Sequence, residues 1–266
     1  MEIKVEDFCI EQIANSGQCF RMEQDKFGIW HIKALGKHLK ISKINNDTYE
    51  FDTSKKDFEN VWFEYFDMSR DYKAIKKAIL NSGDPYLIAA SNYGYGIRVL
   101  KQDPWEATVS FIISQRNNIT RIKNIINNLC KSNNNDFPSP EILSCYSEKE
   151  LQNYGLGYRA DYISKIAKAV IKKELSFEEL RLMNYEESVK YLKKFKGIGE
   201  KVANCIALFG LHKVEAFPID TWIQYIINNQ YHGQFDVGRF AGHAGIIQQY
   251  MFFYQRYLGK YSKVRK

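Results

Sequence analysis

The first quarter of the chain alternates apolar and polar residues in the manner of β-strands. This alternation runs through residues 27–34 and resumes over residues 38–44. A turn-forming Asn-Asn-Asp cluster at 45–47 then precedes a short apolar and polar stretch at 48–51. The pattern predicts consecutive antiparallel strands in the N-terminal region.

From about residue 65 the apolar spacing changes to the 3.6-residue period of helices. Asp103 followed by Pro104 is a typical helix start and predicts a helix over 105–115. One apolar face marks a second helix, at Ile119, Ile122, Ile126 and Leu129. Three later pairs have the spacing of a capping box, and each predicts a short helix: Ser147 with Glu150, Ser176 with Glu179, and Asn184 with Glu187.

Composition and charge suit a folded protein with a moderate attraction to polyanions. The chain has 266 residues, 45% of them hydrophobic, and its 38 Lys and Arg against 31 Asp and Glu give a formal net charge of +7. The apolar fraction excludes a disordered chain. The basic balance favours polyanions such as nucleic acid or a membrane surface as partners, although a lysine-rich proteome would give the same charge without that meaning.

Several common kinds of site have no support in the sequence. The five cysteines are scattered and contain no C-x-x-C pair, which argues against structural zinc or an iron–sulfur cluster. No apolar run approaches the ~18 residues of a membrane span, so we expect no membrane partner. The phosphate-binding G-x-x-x-x-G-K-[ST] and the zinc-binding H-E-x-x-H motifs do not occur.

The most informative segment is a glycine turn between two predicted helices. Residues 196–201 read Lys-Gly-Ile-Gly-Glu-Lys and separate a helix over 185–195 from another that begins near residue 201. The backbone N–H groups of such a turn can bind phosphate without a side chain. The same turn could also be an ordinary connection in which glycine supplies a positive φ.

These patterns together predict an α+β protein. An N-terminal antiparallel β-sheet domain with flanking helices is expected at residues 1–99. A mostly α-helical domain is expected at residues 100–266, and it contains a helix-hairpin-helix motif at about 185–211.

Lys201 and Asp220 are the candidate catalytic residues. Lys201 falls in the first turn of its helix, where the helix dipole and partial burial both disfavour an ammonium group. A partly neutral lysine can attack a sugar carbon and hold the opened sugar as a Schiff base. Asp220 could offset the positive charge that develops on that sugar. The alternatives are a surface lysine and, for Asp220, a helix N-cap, which is compatible with catalysis.

Several motifs occur in the order that one family of DNA repair enzymes has. The hairpin 197–201 and the Pro-Ile-Asp segment 218–220 are similar to the helix-hairpin-helix, Gly/Pro-rich loop and Asp signature of the base-excision DNA glycosylase superfamily. Further segments resemble the 8-oxoguanine DNA glycosylase/lyase family, namely residues 16–21, 98–104, 111–119, 155–160 and 201–205.

The resemblance implies a bifunctional enzyme that acts on double-stranded DNA containing 8-oxoguanine. The damaged base would be flipped out and excised through a Schiff base on Lys201, with Asp220 as the catalytic carboxylate. The strand would then be cleaved at the abasic site by β-elimination. We expect a monomer located in the cytoplasm, associated with the nucleoid if the source is a prokaryote.

The resemblance also implies a pocket for the flipped base. The carbonyl of Gly17 would accept the N7 hydrogen that 8-oxoguanine has and guanine lacks, and an unpaired buried carbonyl costs about 1–3 kcal/mol. Cys205, which is one helical turn from Lys201, and Phe252 would lie on the two faces of the base. Gln248 would bind its Watson–Crick edge.

Contacts to the surrounding DNA follow from the same resemblance. Arg116, Asn117 and Asn118 would lie at the gap left by the extruded base. The family often has Asn where this chain has Arg116, which puts selectivity for the opposite base in question. Arg121 and Arg159 would contact the orphaned cytosine. Phosphate binding would fall to the hairpin, at Lys196, Gly197 and Gly199.

No organic cofactor and no iron–sulfur cluster are implied. A structural cation would be held by the backbone carbonyls of Lys196 and Ile198 and would bridge to a DNA phosphate. Two other functions stay open. One is a monofunctional alkylated-base glycosylase that does not use Lys201, and the other is a helix-hairpin-helix DNA-binding protein without catalysis. The occurrence of Lys201 together with Asp220 argues against the second.

Overall fold

The computed structural model describes residues 1–262 of the chain. The strands are β1 Glu2–Lys4, β2 Met22–Gln24, β3 Trp30–Ala34, β4 Lys37–Lys43 and β5 Thr48–Phe51. The α-helices are α1 Ile10–Asn15, α2 Lys55–Asp57, α3 Phe63–Tyr65, α4 Tyr72–Asn81, α5 Pro85–Tyr93, α6 Pro104–Ile113, α7 Ile119–Lys131, α8 Pro140–Cys145, α9 Glu148–Asn153, α10 Arg159–Ile171, α11 Phe177–Leu182, α12 Tyr185–Leu192, α13 Glu200–Cys205, α14 Thr221–Gln230 and α15 Ala244–Ser262. Two π-helical turns, Phe58–Trp62 and Ile206–Gly210, and one 3-10 turn, Val237–Phe240, complete the helical segments.

The strands form one antiparallel sheet in the order β1-β5-β4-β3-β2. Ile41 pairs with Phe51 across β4 and β5, and both side chains are buried. The predicted N-terminal antiparallel sheet followed by a mostly helical region is therefore confirmed. The edge strands β1 and β2 were not predicted, because three residues are too few to show alternation.

The helix starts follow the predicted capping residues. Asp103 accepts a hydrogen bond from the Glu106 amide at 2.8 Å at the start of α6. Full capping boxes form at the starts of α9 and α12, whereas at α11 only the Ser176 half is present. No helix within residues 1–262 is long and apolar enough to cross a membrane.

The chain forms two compact units. The sheet unit combines residues 1–32, 39–101 and 214–262. The hairpin unit combines residues 33–38 and 102–213. The two domains predicted from the sequence stay a prediction, because compactness alone does not tell which segments fold independently.

The core of the hairpin unit determines where the end of α6 lies. Every residue of α6 except Glu106 is buried, and α6 packs on the π-helical turn that follows α13. The rings of Phe111 and Phe209 stack with centroids 5.1 Å apart. A Cβ on Gly210 would lie 3.1 Å from the Pro104 backbone, so the two segments are in close contact. This packing holds the C-terminal end of α6 against the helix that carries Lys201.

Candidate functional site

The predicted hairpin lies between α12 and α13, and its shape depends on Gly197. This residue has a φ of +93°, which favours glycine. A Cβ at this position would lie 2.5 Å from Cγ of Tyr162. The Gln115 side chain donates to the Gly197 carbonyl at 2.8 Å. The hairpin therefore packs on the ring of Tyr162, and the side-chain amide of Gln115 binds its backbone.

Replacing Gly197 by alanine should destabilise the protein by about 2–4 kcal/mol, because both the backbone conformation and the space are wrong for a methyl group. The melting temperature should fall by roughly 5–10 °C in a calorimetric or fluorescence melt. Gly199→Ala is the matched control, since Gly199 has a φ of −87° and open space at its Cβ. Equal losses in the two variants would contradict the argument.

Lys201 lies in the first turn of α13 and is half-buried. Its Nζ donates to the hydroxyl of Ser114 at 3.1 Å. The same Nζ lies 5.4 Å from the centroid of the Phe111 ring. Cys205 lies one turn further along the helix and is only 3% exposed. The amine is thus held between a hydroxyl oxygen and an aromatic face.

Arg159 is buried and binds the turn after α6. Its guanidinium donates to the carbonyls of Gln115 at 3.0 Å and of Arg116 at 3.3 Å. Burial lowers the pKa of Arg159, and the nearby charge of Arg121 lowers it further. The charges of Arg159 and Arg121, the two arginines predicted to contact the orphaned cytosine, are therefore near enough to repel each other. It also shows Arg159 supporting the turn that contains Arg116.

The remaining predicted residues of this turn have local roles. Asn118 is the N-cap of α7, and its side-chain oxygen accepts from the backbone amide of Arg121 at 2.9 Å. The side-chain amide of Asn117 donates to the Ile113 carbonyl at 3.1 Å. Arg116 itself is exposed and has a φ of +45°. That left-handed conformation is uncommon for a residue other than glycine, asparagine or aspartate.

Lys196 lies at the tip of the hairpin and forms an ion pair with Asp161 at 3.2 Å. The hydrogen bond to Asp161 raises the pKa of this exposed lysine. Within residues 1–262, no group of three or more His, Cys, Asp or Glu side chains is placed to hold a metal ion.

The other predicted residues belong to the sheet unit, where Gly17 lies in a tightly bonded loop. Gly17 has a φ of +81° and lies between the buried Ser16 and Gln18. The Gln18 amide donates to the Arg98 carbonyl and accepts from the Leu100 amide, both at 2.8 Å. These bonds fix the side chain of Gln18, the residue that follows Gly17.

Asp220 is the N-cap of α14, which is the alternative role that is compatible with catalysis. Its Oδ1 accepts from the amides of Trp222 at 3.0 Å and Ile223 at 2.9 Å. Just upstream, the carbonyl of Pro218 accepts from the side chain of the buried Gln248 at 3.1 Å. Gln248 on α15 is thereby linked to the Pro-Ile-Asp segment.

Phe252 lies one turn after Gln248 on α15 and is half-buried. The guanidinium of Arg256 lies 5.3 Å from its ring centroid and donates to the Asn15 carbonyl at 2.9 Å. Burial lowers the pKa of Arg256, and the charge of Asp220 opposes that shift. Arg256 thus contacts Phe252 and the helix end that leads into Gly17, and the charge of Asp220 acts on it electrostatically.

Comparisons with known families and solved structures identify the family of this chain. The family described as 8-oxoguanine DNA glycosylase, N-terminal domain, matches residues 1–108. The HhH-GPD superfamily of base excision DNA repair proteins matches residues 109–233. A Clostridium acetobutylicum 8-oxoguanine glycosylase/lyase, solved with double-stranded DNA that has cytosine opposite 8-oxoguanine, has a TM-score of 0.89 at 35% identity, covering 96% of this chain and 94% of that one. The chain belongs to the 8-oxoguanine DNA glycosylase/lyase family.

Two further relatives of the family agree. The structure of MBOgg1 in complex with a low-affinity DNA ligand has a TM-score of 0.91 at 34% identity, covering 97% of this chain and 96% of that chain. The N-glycosylase/DNA lyase of Saccharomyces cerevisiae is 28% identical over 272 residues, covering 87% of this chain and 70% of the yeast protein.

The sequence did not single out three residues that contact predicted site residues, namely Ser114, Gln115 and Arg256. Ser114 and Gln115 lie inside a segment whose resemblance to the family was noted, so the signal was present but was assigned only to the residues that follow. Arg256 had no signal, because an arginine on an amphipathic helix is most often a solvated residue.

The left-handed conformation of Arg116 predicts that Arg116→Asn will stabilise the protein by up to about 1 kcal/mol, since asparagine tolerates this conformation. The melting temperature should rise by about 2–4 °C. Lys173, which is exposed with a φ of +59°, provides the matched control Lys173→Asn.

Excision assays with each of the four bases opposite the lesion should show greater preference for cytosine in Arg116→Asn only. An unchanged preference for cytosine in Arg116→Asn would show that Arg116 does not recognise the base opposite the lesion.

Proposed function

We propose that this protein excises 8-oxoguanine from double-stranded DNA and then cleaves the strand at the abasic site. The observation that carries the proposal is the half-buried Lys201 amine, held by Ser114 and Phe111 in the first turn after the hairpin. Family membership supplies the substrate class, since the Clostridium acetobutylicum relative is an 8-oxoguanine glycosylase/lyase. The proposed location is the cytoplasm.

In the proposed reaction, the Lys201 amine attacks the sugar at C1′. The bond from C1′ to the base breaks, and its electron pair leaves with the base, which takes up a proton. The ionised Asp220 offsets the positive charge that develops on the sugar. Opening of the sugar ring leaves a protonated Schiff base on Lys201. Loss of a C2′ proton then expels the 3′ phosphate and breaks the strand.

Recognition of the damaged base is assigned to four residues. We infer that the Gly17 carbonyl accepts the extra N7 hydrogen, as the family resemblance implies. The position of Gly17 between the buried residues Ser16 and Gln18 supports this assignment. Cys205 and Phe252 would enclose the base, and Gln248 would bind its edge. Guanine would leave the Gly17 carbonyl unpaired, at a cost of about 1–3 kcal/mol.

DNA binding is assigned to backbone groups and to the turn after α6. The amides of the hairpin at Lys196, Gly197 and Gly199 would bind phosphate, and Arg116, Asn117, Asn118, Arg121 and Arg159 would lie at the lesion gap and its partner base. From the family resemblance, a cation is assigned to the backbone carbonyls of Lys196 and Ile198, which flank the Gly197 carbonyl that accepts from Gln115. Carbonyl oxygens suit hard cations, and such an ion would neutralise phosphate charge.

Borohydride trapping tests the proposal. The wild-type protein, mixed with a duplex containing 8-oxoguanine opposite cytosine and with sodium borohydride, should form a covalent protein–DNA adduct. A duplex with guanine in place of the lesion should give none. Release of a methylated adenine from an alkylated duplex, without any adduct on either substrate, would instead indicate a monofunctional alkylated-base glycosylase.

A further inference from the structure

The hydroxyl of Ser114 contacts Lys201 in a defined sense. Ser114 is the C-cap of α6, and its hydroxyl donates its one hydrogen to the Phe111 carbonyl at 2.8 Å. Toward Lys201 Nζ, 3.1 Å away, the same oxygen therefore acts only as an acceptor. One N–H of the lysine is directed to Ser114 whether the group is an ammonium or a neutral amine.

The ring of Phe111 limits the same amine from a second side. Phe111 and Ser114 are three residues apart near the end of α6, so both lie on one face of this buried helix. Nζ lies 5.4 Å from the ring centroid. One N–H of the neutral amine binds Ser114 and the ring of Phe111 lies on another side of Nζ. These two contacts restrict the directions in which the nitrogen lone pair can point.

We propose that Ser114 is a positioning residue that holds Lys201 Nζ through both chemical steps. The proposal rests on the function proposed above. A neutral amine has two N–H groups, so one can stay on Ser114 while the lone pair forms the bond to C1′. After one proton is lost and O4′ leaves C1′ with a proton, the nitrogen is an iminium with a single N–H. That N–H again needs an acceptor.

The second step should depend on Ser114 more strongly than the first. The charged iminium must form before the strand can be cleaved, because it accepts the electron pair of the C2′–H bond when that proton leaves. This pair then forms the C2′–C3′ double bond, and the electrons of the C3′–O bond leave with the phosphate. A hydrogen bond to a charged donor is stronger than one to a neutral amine. Loss of the acceptor should therefore slow strand cleavage more than base excision.

Ser114→Ala is the test, measured under single-turnover conditions on two duplexes. On 8-oxoguanine opposite cytosine, excision should slow by about 3- to 10-fold. On a duplex with a preformed abasic site, borohydride trapping and β-elimination should slow by about 10- to 100-fold. Ser114→Thr keeps the hydroxyl and should recover trapping to within about 3-fold of the wild-type rate.

Ser132→Ala is the matched control. Ser132 is the C-cap of α7, its hydroxyl donates to the Leu129 carbonyl at 2.7 Å, and it accepts from the Tyr146 hydroxyl at 3.4 Å. It has the same capping chemistry away from Lys201. A purely structural role for Ser114 would lower the melting temperatures of both alanine variants and leave trapping rates alike.

Two results separate the possible failures. If the wild-type protein traps 8-oxoguanine DNA but Ser114→Ala traps abasic DNA within about twofold of wild type, the role of Ser114 is wrong and the proposed function stands. If the wild-type protein traps neither duplex, the proposed function itself is wrong.

Discussion

Lys201→Gln should abolish both excision of 8-oxoguanine and borohydride trapping, with a loss of at least about 10³-fold in single-turnover rate. Glutamine is one bond shorter than lysine, but it suits the half-buried position and has a hydrogen-bond donor, so α13 should fold normally. What it lacks is a basic nitrogen lone pair. The protein should therefore keep its melting temperature and its affinity for abasic DNA while losing chemistry.

Lys190→Gln is the control for loss of positive charge, because Lys190 is exposed on α12. It should trap at the wild-type rate. Excision by Lys201→Gln at more than a tenth of the wild-type rate would mean that another group, or water, attacks the sugar. In that case the residual product should be an abasic site in an intact strand, which gel analysis distinguishes from a cleaved one.

Asp220→Asn should slow base excision by about 10²- to 10³-fold, because the side chain would no longer carry the negative charge that offsets a cationic sugar. Stability should change little. Asparagine and aspartate are equally good N-caps, and the amide oxygen can still accept from the Trp222 and Ile223 amides. The charge itself is worth only about 0.3–1 kcal/mol to the helix dipole.

Asp71→Asn gives the comparison for the cap alone. Asp71 is the N-cap of α4, where its Oδ1 accepts from the Ala74 amide at 2.9 Å. Both variants should melt within about 2–4 °C of the wild type, and only Asp220→Asn should lose activity. A loss of folding without a specific loss of rate would show that Asp220 acts as a cap and not in catalysis.

Much of the local structure could be predicted because capping is a short-range effect. Asp103, Ser147 and Asn184 each cap the helix that their spacing predicts. The hairpin glycines also carry their own signal, since only glycine suits the φ at Gly197. Strands β3 to β5 are long enough for alternation to be visible, whereas β1 and β2 are not.

The partners of the candidate residues could not be predicted, because they come from distant parts of the chain. Ser114 and Lys201 are 87 residues apart, and Arg256 and Asn15 are 241 residues apart. No periodic pattern relates such positions. Arg159 shows the same limit differently: its pairing with cytosine stays a prediction, while its bonds to the turn carbonyls required the fold.

Gln115 has a consequence for how DNA binding is transmitted. Its side chain holds the Gly197 carbonyl, while its own carbonyl is held by Arg159. One residue therefore joins the loop assigned to phosphate to the turn assigned to the partner base. Because both hydrogen bonds belong to one residue, free energy gained on the sugar–phosphate backbone can contribute to ordering the base-reading turn. Thermodynamic linkage makes that coupling reciprocal. A correct base opposite the lesion should therefore raise the affinity of the hairpin for DNA phosphate.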